Sequence, residues 1–304
     1  FPMITSIATG VSPQGIVVVP SLSRAYVANN GSNSITVIDT NTMSAVTTID
    51  LTLAAPTPLQ TPSDLVLSPD QQWIWVAARE IGGPVQGAVA KISTATNSVV
   101  EEILVPGSTS TVTDLALNAA GQQIYAVCPT PHIMQVRYGS GFASGNTGIT
   151  AQVFTSGEWL DVTPDGTRLW VQNNNGLTSG APQTAATNDW SVLAPTFVPV
   201  SGVPPGGASM EIYREVRLAS MTTPGMIAYL GDDWPATKTI RVIDATLENS
   251  IGSVAPPVPG GFNPKTISID PTDTLLFVGP GPGTSQSQLE VYDITSPAAP
   301  VSIG

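Results

Sequence analysis

The feature that most constrains this 304-residue chain is a strand–turn–strand pattern that returns roughly every 50 residues. The first copy is Ile16-Val17-Val18-Val19-Pro20 followed by Ala25-Tyr26-Val27-Ala28-Asn29-Asn30, and the second is Leu65-Val66-Leu67-Ser68-Pro69 followed by Trp73-Ile74-Trp75-Val76. Further copies are Leu115 to Ala119 before Ile124-Tyr125-Ala126-Val127, and Leu160-Asp161-Val162-Thr163-Pro164 before Leu169-Trp170-Val171, joined by the turn Asp165-Gly166. Two more lie at Val216 to Ser220 before Met226-Ile227-Ala228-Tyr229, and at Ile267 to Pro271 before Leu275-Leu276-Phe277-Val278. The marker positions Pro20, Pro69, Ala119, Pro164, Ser220 and Pro271 stand 45 to 56 residues apart. The residues after Pro271 and those up to Pro20 together make one more repeat length, so the pattern predicts a closed ring and not an open solenoid.

Each unit also holds third and fourth strand candidates, such as Ser34 to Asp39 then Ala45 to Ile49, or Ile240 to Asp244 then Ser250 to Val254. Period-2 alternation rich in β-branched residues marks strands, and no capped 3.6-period stretch is long enough for a substantial helix. Four short strands per unit predict a propeller blade. The expectation is therefore an all-β, six-bladed β-propeller, six blades and not seven, with four antiparallel strands per blade in a single domain over residues 1–304. Ile4 to Ala8 and Pro300 to Ile303 both read as outer strands, one of which completes the last blade and locks the ring.

Composition narrows the function. With 10 Lys+Arg against 22 Asp+Glu, the net charge of −12 repels polyphosphate backbones, which argues against nucleic-acid binding. The single cysteine, Cys128, cannot form an internal disulfide and, at the end of an apolar strand, reads as a buried small hydrophobe. The single histidine, His132, excludes any metal site that needs two imidazoles. No run approaches the length of a membrane-spanning apolar segment. A Gly-x-Ser-x-Gly elbow is absent, and Gly279-Pro280-Gly281-Pro282-Gly283 lacks the Lys of a phosphate loop and reads as a turn.

The string Arg24-Ala25-Tyr26-Val27-Ala28-Asn29-Asn30-Gly31-Ser32-Asn33-Ser34-Ile35-Thr36-Val37-Ile38-Asp39-Thr40 resembles the YVTN-type β-propeller repeat, with Ala28 where that family has Thr. Ser68-Pro69-Asp70 and Val242-Ile243-Asp244-Ala245-Thr246 agree with it; the third to fifth units depart further. The resemblance implies a propeller of the kind usually secreted or displayed at bacterial and archaeal surfaces, and it implies no single activity.

It further implies that the first strand of each blade borders a central channel. Five residues before each marker stand Gly15, Asp64, Asp114, Trp159, Glu215 and Thr266; three before it stand Val17, Val66, Ala116, Asp161, Arg217 and Ser268. The positions between, Ile16 and Val18 in the first blade and their equivalents, are apolar and read as blade-to-blade core. Asp64 and Asp114, with Glu158 or Glu215, are therefore candidates for an acidic mouth that holds a hard cation such as Ca²⁺ through oxygen ligands, the metal ligands proper being Asp64 and Asp114. The competing reading has each Asp accept backbone N–H groups at the strand entrance. Asp161 and Arg217 read as a structural pair between blades. Six-bladed lactonases and phosphotriesterases hold a catalytic calcium at such a mouth, but their Glu, Asn, Asp and His set is incomplete here.

Trp159 opens a first strand, and Trp190 and Trp234 lie in loops beside Asp189 and Asp232-Asp233, an arrangement suited to stacking on sugars or anchoring a protein. Trp75 and Trp170, in second strands, read as core. The long loops over 177–209 are the other place where ligand contacts could sit. The start at Phe1 without Met reads as a processed or partial chain, and few Lys with many Ser, Thr, Gly and Pro fit signal removal. Together these readings favour a secreted or cell-surface binding or structural module for a protein or carbohydrate ligand. A cation-dependent hydrolase of the lactonase type and a subunit of a self-assembling filament or surface layer are the alternatives.

Overall fold

In a computed structural model, residues 6–54, 57–83, 86–105, 107–118, 121, 123–128, 132–137, 147–151, 157–163, 166–173, 183–186, 198–199, 213–219, 227–232, 239–244, 247, 249–255, 264–270, 272, 274–280, 289–296 and 299–303 are described. For 132–137, 147–151, 157–158, 172–173, 183–186, 198–199, 213–219, 228, 230–232, 264–266 and 280 the description covers the backbone alone. Apart from three single 3₁₀ turns, the regular structure of these residues is β-strand throughout.

The strands form six antiparallel sheets in sequence order. The first blade comprises β1 (Pro13–Val19), β2 (Arg24–Asn29), β3 (Ser34–Asp39) and β4 (Ser44–Asp50). In the second, the inner strand is broken into β5 (Leu59–Gln60) and β6 (Leu65–Leu67), both paired with β7 (Trp73–Glu80), and β8 (Gly87–Ser93) and β9 (Ser98–Leu104) follow. The third holds β10 (Asp114–Leu117), β11 (Gln123–Cys128), β12 (His132–Arg137) and β13 (Thr147–Ala151). The fourth holds β14 (Gly157–Val162), β15 (Arg168–Asn173), β16 (Gln183–Ala186) and β17 (Val198–Pro199). The fifth holds β18 (Tyr213–Ala219), β19 (Ile227–Asp232), β20 (Ile240–Asp244) and β21 (Asn249–Val254). The sixth holds β22 (Pro264–Ile269), β23 (Leu275–Pro280), β24 (Glu290–Asp293) and β25 (Val301–Ser302).

Two compact units contain these sheets: residues 1–154 with 190–194 carry the first three blades, and 155–189 with 195–304 carry the last three. Of the two segments expected as outer strands, the C-terminal one fulfils that role, since β25 pairs with β24 through Asp293 and Val301. Ser6–Thr9 are not strand; Ile7 instead packs on Ala25, Val27 and Ile38 of the first blade.

Within each unit the cores lie between consecutive sheets. Val19, Tyr26 and Ala28 of the first blade pack with Leu65, Ile74 and Val76 of the second. Trp75, Ala77 and Val89 of the second meet Leu115, Ile124 and Ala126 of the third. Tyr229, Ile240 and Val242 of the fifth meet Ile267, Leu276 and Val278 of the sixth. The alternate residues of each strand face opposite sides, so one blade supplies two such surfaces. The apolar first-strand positions follow this rule: Leu65, Leu115, Leu160 and Ile267 are buried. Ile16 and Val18 depart from it, at 63% and 50% exposed, because the first blade packs on the second through its opposite side, with Val17, Val19 and Tyr26.

The turns are fixed by short polar side chains. Asp39 Oδ1 accepts the N–H groups of Asn41 and Thr42, and Asp293 Oδ1 accepts both the N–H and the hydroxyl of Thr295. These Asx turns end strands without help from the rest of the fold. The Ser68-Pro69-Asp70 turn is tied likewise: the Ser68 hydroxyl donates to Asp70 at 2.5 Å and accepts the Trp73 N–H at 3.0 Å. That hydroxyl is the main reason the Asp70 carboxyl is held below its ordinary range.

Candidate functional site

The residues five before each marker are placed by the entrance of the first strand, and in every blade but the third, where Asp114 pairs regularly with Val127, that entrance is irregular. The ladder register slips between Pro13 and Ile16, Gly157 and Trp159, Tyr213 and Val216, and Pro264 and Thr266. In the second blade the strand breaks outright between Gln60 and Leu65. The slip falls at Gly15 and Glu215 and immediately before Trp159 and Thr266, which pair with Gln172 and Gly279, and a bulge of this kind bends the strand at this position.

Asp64 stands at this position in the second blade. Its carboxylate Oδ2 accepts the Leu115 N–H at 3.1 Å, joining it to the inner strand of the third blade. Its carbonyl accepts the Ala77 N–H at 3.0 Å, which holds the broken strand to β7. The flanking residues add further links: the Ser63 hydroxyl donates to Val112 O at 2.8 Å, and Thr61 N–H donates to Asn33 Oδ1 at 2.9 Å. Residues 61–64 are thus a junction stapled to both neighbouring blades. Asp114 is the equivalent residue of the third blade, and it is buried, at 5% exposed.

The first blade has Gly15 here, and the reason is steric. A Cβ at Gly15 would lie 2.8 Å from Ser63 O and 3.1 Å from Asp64 Cα. The inner strands of the first two blades approach so closely that no side chain fits. A glycine inside a strand pattern is a sequence signal for such an approach or for a bulge, and here it marks both.

Trp159 is half-buried and pairs across the ladder with Gln172. Glu158 and Glu215 lie on β14 and β18, but their side chains fall outside the described residues, as do those of His132 and Arg217. Asp161, expected to pair with Arg217, accepts the N–H of Val162 at 2.9 Å. Trp190, Trp234, Asp189, Asp233, Gly281 to Gly283 and most of 177–209 lie outside the described residues as well. Among the described residues no group of three His, Cys, Asp or Glu side chains gathers in a way that could hold a metal ion.

Directly across the ladder from the residues three before each marker lies a feature not anticipated from the sequence. Val17, Val66, Ala116, Asp161, Arg217 and Ser268 face Tyr26, Trp75, Tyr125, Trp170, Tyr229 and Phe277 respectively. Every blade therefore has one aromatic ring at the same register of its second strand. Tyr26, Tyr125, Trp170 and Tyr229 are fully buried and Trp75 is 2% exposed. The Tyr26 hydroxyl, whose pKa burial pushes up, donates to Asn97 Oδ1 of the second blade at 2.6 Å. Lys91 crosses Trp73 at 4.2 Å and Trp75 at 5.1 Å from the ring centroids and lies 4.0 Å from Glu101, with its ammonium pKa lowered chiefly by burial. The signal was present in each second strand, but alignment on the first strand alone does not reveal which second-strand residue faces it.

Cys128 is buried beside Gly87, and burial pushes its thiol up to about 12, so the thiolate is not accessible near neutral pH.

Six antiparallel sheets, five of four strands and one whose inner strand is broken in two, define the class of protein, and similarity to solved structures agrees: this is an all-β fold of the β-propeller type. The chain is similar to the WD40 repeats of RRP9, with a TM-score of 0.71 at 11% identity over 98% of this chain and 81% of that one. It is similar to the hydrazine synthase of Kuenenia stuttgartiensis, with a TM-score of 0.65 at 15% identity over 99% and 85%. The β-propeller domain of Myceliophteria thermophila Cps50 (Swd1) matches with a TM-score of 0.57 at 12% identity over 77% and 66%. No protein-family model matches the chain, and no curated protein matches it. At these identities the likeness is one of fold.

Proposed function

We propose that this propeller is a secreted or cell-surface binding and scaffold module of the YVTN type, with a protein or carbohydrate surface as its ligand. The observation that carries the reading is the use of Asp64. A carboxylate at the position where an acidic mouth would present a cation ligand is engaged on the Leu115 N–H of the adjacent blade. That supports the strand entrances as joints that stiffen the array, leaving recognition to side chains such as Trp159 and to the loops. The net charge of −12 and the resemblance of residues 24–40 to surface-displayed propellers support the extracellular setting.

The test is calorimetric titration of chelator-treated protein with Ca²⁺, in parallel with the Asp64→Asn, Asp114→Asn double variant. The scaffold reading expects no specific heat of Ca²⁺ binding and a lower unfolding midpoint for the variant. Tight binding that the variant abolishes would overturn it and direct attention to lactones and phosphotriesters. Retention on a glycan array, reduced in Trp159→Ala, would identify the ligand class as carbohydrate.

A further inference from the structure

The turn between β2 and β3 contains Asn30-Gly31, the dipeptide in which a peptide nitrogen most readily attacks an asparagine side chain, because glycine offers no steric hindrance. In that reaction the Gly31 nitrogen bonds to Asn30 Cγ, the Cγ–Nδ2 bond breaks, ammonia leaves, and water opens the succinimide to aspartate or isoaspartate. The attacking nitrogen is held, and so is the backbone of Asn30. Gly31 N–H donates to Val11 O at 2.9 Å, and Asn30 N–H donates to Ser12 O at 3.0 Å, which pins the 3₁₀ turn Asn30–Ser32 under the segment preceding β1. The leaving group is engaged as well, for Asn30 Nδ2 donates to Pro62 O of the second blade at 3.2 Å.

That segment is itself docked by side chains. Val11 N–H donates to Ser32 Oγ at 3.1 Å, and Gly10 N–H donates to Asn29 Oδ1 at 3.1 Å. Asn29 is fully buried and fixed by its own amide, which donates to Ser34 at 3.2 Å and Thr36 at 2.9 Å. A Cβ at Gly10 would lie 2.7 Å from Asn29 Cγ, so only glycine allows the segment to lie this close.

We propose that residues Ser6–Ser12 are a guard over Asn30, and that undocking them turns Asn30 into a site of spontaneous conversion to aspartate or isoaspartate. The product carboxylate would face the Pro62 carbonyl, acceptor against acceptor, and this one of the ties between the first two blades would be lost. Conversion is thus gated by local opening of the segment, not by global unfolding.

The experiment is peptide mapping by mass spectrometry after incubation at mildly alkaline pH, on folded full-length chain, on the same chain in urea, and on Gly10→Val shown to be folded by circular dichroism. Asn30 in the folded native chain is expected to convert at least about tenfold more slowly than in urea, with folded Gly10→Val approaching the unfolded rate. A native chain that keeps pace with the unfolded one, or a folded Gly10→Val as slow as wild type, would overturn the proposal. Should Gly10→Val fail to fold, Ser32→Ala removes the acceptor of the Val11 N–H together with a hydrogen bond to the Ser34 hydroxyl; it is expected to convert faster than wild type, and a folded Ser32→Ala as slow as wild type would overturn the proposal.

Discussion

Removing the Asp64 carboxylate should weaken the joint between the second and third blades by a calculable amount. Asp64→Ala leaves the Leu115 N–H without the acceptor that now sits at 3.1 Å. Hydrogen bonds to charged groups contribute about 1.5–3 kcal/mol, and the partial exposure of Asp64 places this one near the lower end, at about 1.5 kcal/mol. Asp64→Asn keeps an oxygen at the same place without the charge, and should cost about half as much. Equilibrium urea unfolding reads both values, with the slope against denaturant unchanged because neither variant alters the surface exposed on unfolding. Hydrogen exchange reads the joint itself: the Leu115 amide should exchange about tenfold faster in Asp64→Ala, the equivalent of about 1.4 kcal/mol. An Asp64→Ala variant within about 0.5 kcal/mol of wild type, with Leu115 exchange unchanged, would refute the role assigned to this carboxylate.

Gly15→Ala places a Cβ 2.8 Å from a backbone oxygen of the second blade, and it should lower stability by about 1–3 kcal/mol in the same urea assay, whereas Gly252→Ala, where a Cβ meets nothing within 4 Å, should not. Cys128 should resist alkylation by iodoacetamide in the folded protein at neutral pH and react once unfolded, as free-thiol counting will register. Burial raises the carboxyl pKa of Glu290, so the folded state holds this proton to higher pH than the unfolded chain, and stability falls as pH rises above about 4.5. Glu290→Gln should therefore raise the thermal midpoint at neutral pH and lose that advantage near pH 4. Asp270 behaves oppositely: bonds from Thr272, Thr274 and Leu275 lower its pKa, so its contribution is present above about 3.8 and vanishes as pH falls through the lowered value, a slope that Asp270→Ala should erase.

Much of the fold was legible because its signals are local. The alternation in Ser34 to Asp39 and in Ile240 to Asp244 reappears as β3 and β20, and Gly166 has a φ of 71° with its N–H donating to Thr163 O at 2.7 Å. Trp75, Trp170 and Cys128 are buried as their strand positions implied. What escaped the sequence depends on proximity between repeats. Gly15 is glycine because of Ser63 and Asp64, some fifty residues away, and Asp64 has its partner in Leu115 at a similar distance along the chain. The left-handed conformations of Ser23 and Met43, at φ 50° and 52°, are equally opaque, since neither residue type favours that region and the surrounding hairpins impose it. Strand entrances slip register for reasons that periodicity, which counts residues in one strand only, does not register.

The aromatic rings of the second strands bear on how such a chain can change. In every repeat the bulky partner of the ladder pair sits on the second strand, while its first-strand counterpart ranges over Val, Ala, Asp, Arg and Ser. Volume is thus assigned to one strand, and the other is released from having to supply it. Substitutions along the first strands can therefore alter charge and polarity from blade to blade without emptying the interior. Six repeats that share one second-strand ring position thus carry five different first-strand residue types beside it.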